Sequence, residues 1–281
     1  DLAEYQGQPT KLIPVEQPIP DMPIWLLEYQ NSSISEETIL DILSIHPSVS
    51  IAQYNHQVQL RSNPSPTSTL PNDPQFNNQW QYLNTGQGGG QVGMDMDADL
   101  AWDVTTGGLS SLGDTIVIAV IDDGCQVNHP DLQGNIWINH AEIPNNALDD
   151  DGNGYVDDYW GWNSNTLDDN VAANGAGAHG TAVAGIVGAR GNNNTGVTGV
   201  SWNIKMMIIR NNFNTNEANV LAAYGYALKQ RKIYNQTNGQ AGAFVVASNA
   251  SWGLDNGQAS QAPLWCAFYD TLGQHGILNI A

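Results

Sequence analysis

The sequence predicts an α/β fold, a doubly wound parallel sheet preceded by a small α+β unit, and three observations carry that prediction. The run Thr115 to Ile121 is apolar at successive positions, as expected of a strand buried on both faces within a parallel sheet. Ile204 to Ile209, with the shorter Ala243 to Val246 and Ile277 to Ile280, repeats that character, and helical patterns separate these last three runs. The composition also changes near residue 61, where proline and serine accumulate.

Before that boundary, residues 1–60 read as the α+β unit. Pro23 to Tyr29 is a strand and Ser35 to Leu43 a helix, with Ser33 or Ser35 as its N-cap. Val49 to Tyr54 and Val58 to Leu60 are further strand. Residues 61–72 form a linker, because three prolines between Pro64 and Pro71 exclude a regular ladder. The main domain is 73–281. Within it Val220, Leu221, Tyr224 and Leu228 share one helical face, with Lys229, Arg231 and Lys232 in the last turn, where cations suit the helix dipole. Pro263 to Leu272 reads as another helix. Gly180 to Ala189 contains three glycines, each costing about 1 kcal/mol relative to alanine in a helix, so it is expected as a buried helix whose small residues allow close backbone approach.

With 281 residues, of which 41% are hydrophobic, the chain is long enough for a sizeable core. Eight Lys and Arg against 28 Asp and Glu give a net charge of −20. Coulomb repulsion then disfavours nucleic-acid and anionic-membrane partners and favours cations. No apolar run reaches membrane-spanning length, no signal peptide stands at Asp1, and an exported protein is expected. Cys125 and Cys266 are expected as buried free thiols, with no base positioned to make Cys125 a nucleophile.

Asp122, at the carboxyl end of the first long apolar run, stands where ligand sites occur in open α/β sheets. A carboxylate fixed there beside Gly124 can accept the Nδ1 proton of an imidazole and hold its orientation. His179, opening the glycine-rich helix, is the expected base. His46, His56, His129, His140 and His275 read as structural.

Metal binding is the second chemical signal. In Asp149-Asp150-Asp151-Gly152-Asn153-Gly154-Tyr155-Val156-Asp157, oxygen donors stand at loop positions 1, 3, 5 and 9 from Asp149, Asp151, Asn153 and Asp157. The Tyr155 carbonyl stands at 7, and Gly154 at 6 permits the sharp turn. Trp160 occupies the position of the usual bidentate glutamate, so another carboxylate, such as Asp158, is needed to close a Ca2+ shell.

Val120-Ile121-Asp122-Asp123-Gly124 with His129-Pro130-Asp131-Leu132, followed by His179-Gly180-Thr181-Ala182-Val183-Ala184-Gly185, resembles the subtilisin-like serine proteases, or subtilases. The resemblance runs from about Pro71 to Ala281. It implies a subtilisin-like doubly wound sheet, present here in part, with Asp122 as orienting acid and His179 as general base. It makes Ser251, Trp252 and Gly253 the strand that pairs with an extended peptide or protein substrate. It suggests a second calcium site at Asp73, Asp131 and Asn193, and it makes residues 1–60 part of a propeptide that acts as an intramolecular inhibitor. Asp123 stands where Thr or Ser is commoner, and Ala182 replaces a frequent second histidine. The family's oxyanion Asn and nucleophilic Ser are expected beyond Ala281, so this stretch by itself is expected to be inactive. Two other readings stay open, a pseudoprotease without a nucleophile and a calcium-dependent exported binding module.

Overall fold

The computed structural model describes residues 4–5, 8–30, 33–55, 69–172, 178–211, 216–253 and 257–281. The chain divides into two compact units, 1–62 and 63–281. The expected strand Val58 to Leu60, His56, Gly177 and most of the linker lie outside the described residues.

In the first unit, β1 (Glu4–Tyr5) pairs with β2 (Gln8–Pro9), and β3 (Leu12–Glu16) with β4 (Leu26–Tyr29), both antiparallel. The helix α1 (Glu36–Ile45) is capped by Ser35, whose side chain accepts the Thr38 N–H, as the sequence predicts. Val49 to Tyr54 is not a strand. Among the described residues it has no pairing partner, Ile51 is exposed, and the antiparallel pair is built upstream, from a segment whose Pro14 masks its strand character.

The second unit opens with the short helix α2 (Ala98–Trp102), whose Trp102 packs with Phe76, Tyr82 and Trp202. A parallel sheet follows, built from β5 (Val117–Asp122), β6 (Trp162–Asn163), β7 (Lys205–Arg210), β8 (Val245–Asn249) and β9 (Leu278–Ile280) in the order β6-β7-β5-β8-β9. Three helices flank it: α3 (Ala178–Gly188), α4 (Glu217–Thr237) and α5 (Pro263–Gln274). Alternate residues of the central strands face opposite layers. Val117, Ala119, Ile121, Met207 and Ile209 pack with α4 and α5, whereas Val120, Met206 and Ile208 pack with Ala184 of α3. Two apolar faces on one strand therefore account for the unbroken hydrophobic run, and the sheet is doubly wound.

Glycine lets α3 approach the sheet. A Cβ at Gly180 would lie 2.2 Å from the Gly124 carbonyl oxygen and 2.9 Å from the Asp122 Cβ, and one at Gly188 3.1 Å from the Met206 sulfur. The helix is not buried all round, contrary to expectation. Gly180, Ala184 and Gly188 are buried, while Ala182 is exposed and Ile186 is 57% exposed.

The helix α4 also differs from its sequence reading. It runs on to Thr237, ending at Asn238 in the left-handed conformation, so Lys229, Arg231 and Lys232 precede the last turn. Tyr234 fixes this extension by donating to Asp114 and packing on Phe244.

Candidate active site

The sheet brings Asp122 to its carboxyl edge as the last residue of β5. Gly124 then turns the chain at φ +114°, and a Cβ there would meet the Val171 carbonyl oxygen at 2.9 Å, so both conformation and space call for glycine. From the opposite side α3 delivers His179 in its first turn. The two side chains, 57 positions apart in sequence, meet with Nδ1 2.7 Å from Asp122 Oδ1. The Asp122 side chain is 2% exposed and that of His179 is 49% exposed.

Asp123 ties the two elements together. Its N–H donates to Asp122 Oδ1 at 2.8 Å, and its own Oδ1 accepts the Gly180 N–H at 2.9 Å. The second aspartate of the motif thus locks the start of α3 to the end of β5, a role its sequence position does not announce. Asp122 accordingly holds His179 by one oxygen, while its buried Oδ2 has no hydrogen-bond partner among the described residues.

The electrostatics follow from this geometry. The bond to Asp122 raises the His179 pKa above its ordinary value, because a carboxylate acceptor favours the protonated ring. Burial raises that of Asp122, with the bond to His179 acting in the opposite direction. Burial pushes the Cys125 thiol up to about 12, so it holds its proton and is no nucleophile. Both cysteines are free, as expected, but Cys266 is only half-buried.

The segment after β8 borders the same edge. Trp252 Nε1 donates to the Ile121 carbonyl at 2.8 Å, next in sequence to Asp122, and its ring lies 6.1 Å from that of Trp265. Ser251 and Gly253 on either side are exposed, and Ser251 Oγ accepts from Asn249. Asn211, which no sequence signal marks, follows β7 beside this site. Its N–H donates to the Asp122 carbonyl at 2.7 Å, and its side-chain amide is buried with no partner among the described residues.

In the acidic loop, Asp149 Oδ1 and Asp151 Oδ1 converge on a single donor, the Asn153 N–H, at 3.0 and 2.9 Å. Two carboxylates turned on one hydrogen repel each other, and a cation relieves that repulsion. Asp151 also forms a cluster with Glu142 and Asp158, with one oxygen of each within 4.8 Å of the others. Glu142 is 4% exposed and its Oε2 is buried without a partner among the described residues. This donor set fits calcium, with Glu142 standing as a candidate for the carboxylate that Trp160 does not offer. Sequence spacing overlooked Glu142 because it precedes the loop. The Asp157 carboxylate accepts the Asn146 and Ala147 N–H groups. Asn153 Oδ1 likewise accepts the Tyr155 N–H. Asp158 is fully buried, and burial raises its pKa while the bond from Tyr226 opposes the rise. The bonds it accepts from Tyr226 at 2.6 Å and Gln230 at 3.0 Å anchor the loop to α4. The Tyr155 ring packs edge-on against Trp162 and Tyr226.

The second acidic site is also assembled. Asp73 accepts the Asn192 and Asn193 N–H groups at 2.7 and 3.3 Å, and Asn193 Nδ2 donates to Asp131 Oδ1 at 2.9 Å. Asp73 and Asp131 are buried, and their oxygens converge on one loop.

A doubly wound α/β sheet bearing an aspartate–histidine dyad at its carboxyl edge defines the class of protein. Residues 113–275 match the family model described as Peptidase_S8, the subtilase family, and the chain belongs to that family. It is 46% identical over 99 residues to subtilisin-like protease 1 of Plasmodium falciparum (isolate 3D7), covering 33% of this chain and 13% of that protein. It is 34% identical over 142 residues to human neuroendocrine convertase 2, covering 50% of this chain and 18% of that one. The chain therefore matches less than a fifth of the length of either relative. A protease of Pseudoalteromonas arctica PAMC 21717 superimposes with a TM-score of 0.48 at 26% identity, over 75% of this chain and 58% of that one.

Proposed function

We propose that these residues supply the acid and base of a calcium-binding, exported serine endopeptidase that cleaves peptide or protein substrates. The observation that carries the reading is the 2.7 Å contact between His179 Nδ1 and the buried Asp122 carboxylate. In that role Asp122 holds the ring so that Nε2 faces outward as the base. His179 takes the serine proton as the hydroxyl attacks the peptide carbonyl, and Asp122 stabilises the imidazolium that results. Ser251, Trp252 and Gly253 lie along the substrate as a pairing strand, with Trp252 fixed by its bond to the Ile121 carbonyl.

Asp149, Asp151, Asn153 and the Tyr155 carbonyl, with Glu142 and Asp158, hold one calcium ion, and Asp73, Asp131 and Asn193 help hold a second. Bound calcium supplies fold stability by linkage and enters no chemical step. Asp157, which also accepts the Asn146 and Ala147 N–H groups, is a further ligand of the first ion. Export accords with the net charge of −20, and no helix of the described residues is long and apolar enough to cross a membrane. Residues 1–60 act as the inhibitory propeptide, and the separate compactness of 1–62 supports that division.

The test is labelling with a fluorophosphonate probe. A polypeptide of residues 1–281 stays unlabelled, while a longer product carrying a downstream Asn and a Gly-Thr-Ser motif is labelled after processing in calcium and loses the label in His179→Ala. A longer, processed product that never labels would support the pseudoprotease or binding-module readings instead.

A further inference from the structure

Asp122, Asp123 and His179 each offer one ligand atom, and these three atoms lie within 4.8 Å of one another. A zinc ion bound at about 2.0–2.2 Å by nitrogen and oxygen ligands spaces tetrahedral neighbours about 3.4 Å apart. The Asp122–His179 contact at 2.7 Å must therefore open by somewhat less than 1 Å, and the Asp123 carboxylate must swing inward. The half-exposed His179 side chain has room for the first movement, and the second exchanges the bond between Asp123 Oδ1 and the Gly180 N–H for the cation. A second observation points to a ligand independently. Asp122, 2% exposed, has its Oδ2 buried with no partner among the described residues, a deficiency that a cation chelated by both Asp122 oxygens would satisfy.

We propose that Asp122, Asp123 and His179 form an inhibitory site for a divalent transition-metal cation such as zinc. One imidazole nitrogen and two carboxylates suit zinc better than calcium, which takes six to eight oxygens. Three protein ligands leave the fourth position to water on the exposed side of the ring. Binding replaces the Nδ1 proton, which leaves to solvent, and so breaks the hydrogen bond that orients the base. The Asp123 carboxylate distinguishes this site from one with Thr or Ser at that position, which could supply a hydroxyl but no charge.

Zinc binding can be measured on residues 1–281 without any turnover, by calorimetric titration with zinc chloride in saturating calcium and by the ring signals of His179 in NMR spectra. Inhibition, in contrast, rests on the peptidase reading, so the failure of that reading leaves the binding test standing. The expected result is one zinc equivalent that shifts the His179 ring signals, with affinity lowered more than about tenfold in His179→Ala and about tenfold in the isosteric Asp123→Asn. Circular dichroism verifies that each variant is folded, and Asp123→Asn serves if His179→Ala is not. Absence of zinc binding, or binding of equal affinity in a folded variant with the His179 ring signals unmoved in the parent, would overturn the proposal.

Discussion

His179 exposes half of its side chain while Asp122 exposes almost none, and this asymmetry divides the labour between them. Under the proposed function, the buried carboxylate fixes geometry and the accessible ring meets the substrate. Asp122→Asn leaves a side chain of the same shape that holds the wrong ring tautomer, so kcat of the active longer product should fall about 10⁴-fold, as in the well-studied protease with the same change. Steady-state hydrolysis of a fluorogenic peptide checks this. The pH dependence has a definite sign. The folded pKa of His179 is raised by its bond to Asp122, so the neutral base accumulates only above the ordinary histidine value of about 6.5, and the rising limb of kcat/KM against pH should lie on the alkaline side of it. By linkage the contribution that the raised His179 pKa makes to stability is fully present below about pH 6.5 and is lost as pH rises through the folded value. A rising limb centred below pH 6 would contradict the assignment. At this scale Asp122 and His179 were legible because both stand in short, specific motifs. Asn211 and Glu142 were not, since their significance lies in buried side-chain atoms that have no partner among the described residues, which spacing does not encode.

At the scale of elements, the dyad depends on how closely α3 rides on the end of β5. Gly180→Ala places a methyl 2.2 Å from a backbone oxygen that cannot move aside, so unfolding should be easier by at least about 2 kcal/mol, measured by denaturant titration. An unchanged midpoint would mean that the helix stands further off. The acidic loop depends on α4 in a similar way. Tyr226→Phe removes a buried donor from the Asp158 carboxylate and should cost about 1.5–3 kcal/mol. The long apolar strands were readable from composition, because burial on two faces leaves no room for polar residues, whereas the glycine-rich helix was readable as a helix but its exposed face at Ala182 and Ile186 was not. Element ends were harder. The end of α4 is set by Tyr234 reaching Asp114, a contact between residues 120 positions apart that no local pattern reports. The strand at Leu12–Glu16 escaped notice because Pro14 argues against a ladder, yet the register shifts between Pro14 and Glu16 and accommodates it.

For the whole molecule, the net charge of −20 is the main constraint. Among the described residues no Lys or Arg is ion-paired with a carboxylate, so internal cations do not offset the acidic loops. Carboxylates there accept backbone N–H groups or converge on one another, and calcium is the proposed counterion. At a free calcium concentration about 100 times Kd, one site adds about 2.7 kcal/mol, so chelation should lower the melting temperature by roughly 5–10 °C. Glu142→Gln should remove part of that increment, which scanning calorimetry with and without chelator would show. The doubly wound layout was legible as a whole because its strand and helix rhythm spans the second unit, whereas the convergence of Glu142 with Asp151 and Asp158 emerges only after the loop has folded. The account rests above all on Asp122 orienting His179, and nitrogen NMR of the imidazole in residues 1–281 tests this most directly. The neutral ring should carry its proton on Nδ1, with Nε2 bare, and that preference should be lost in Asp122→Asn. A proton on Nε2 in the parent chain, or a tautomer indifferent to the substitution, would contradict the account.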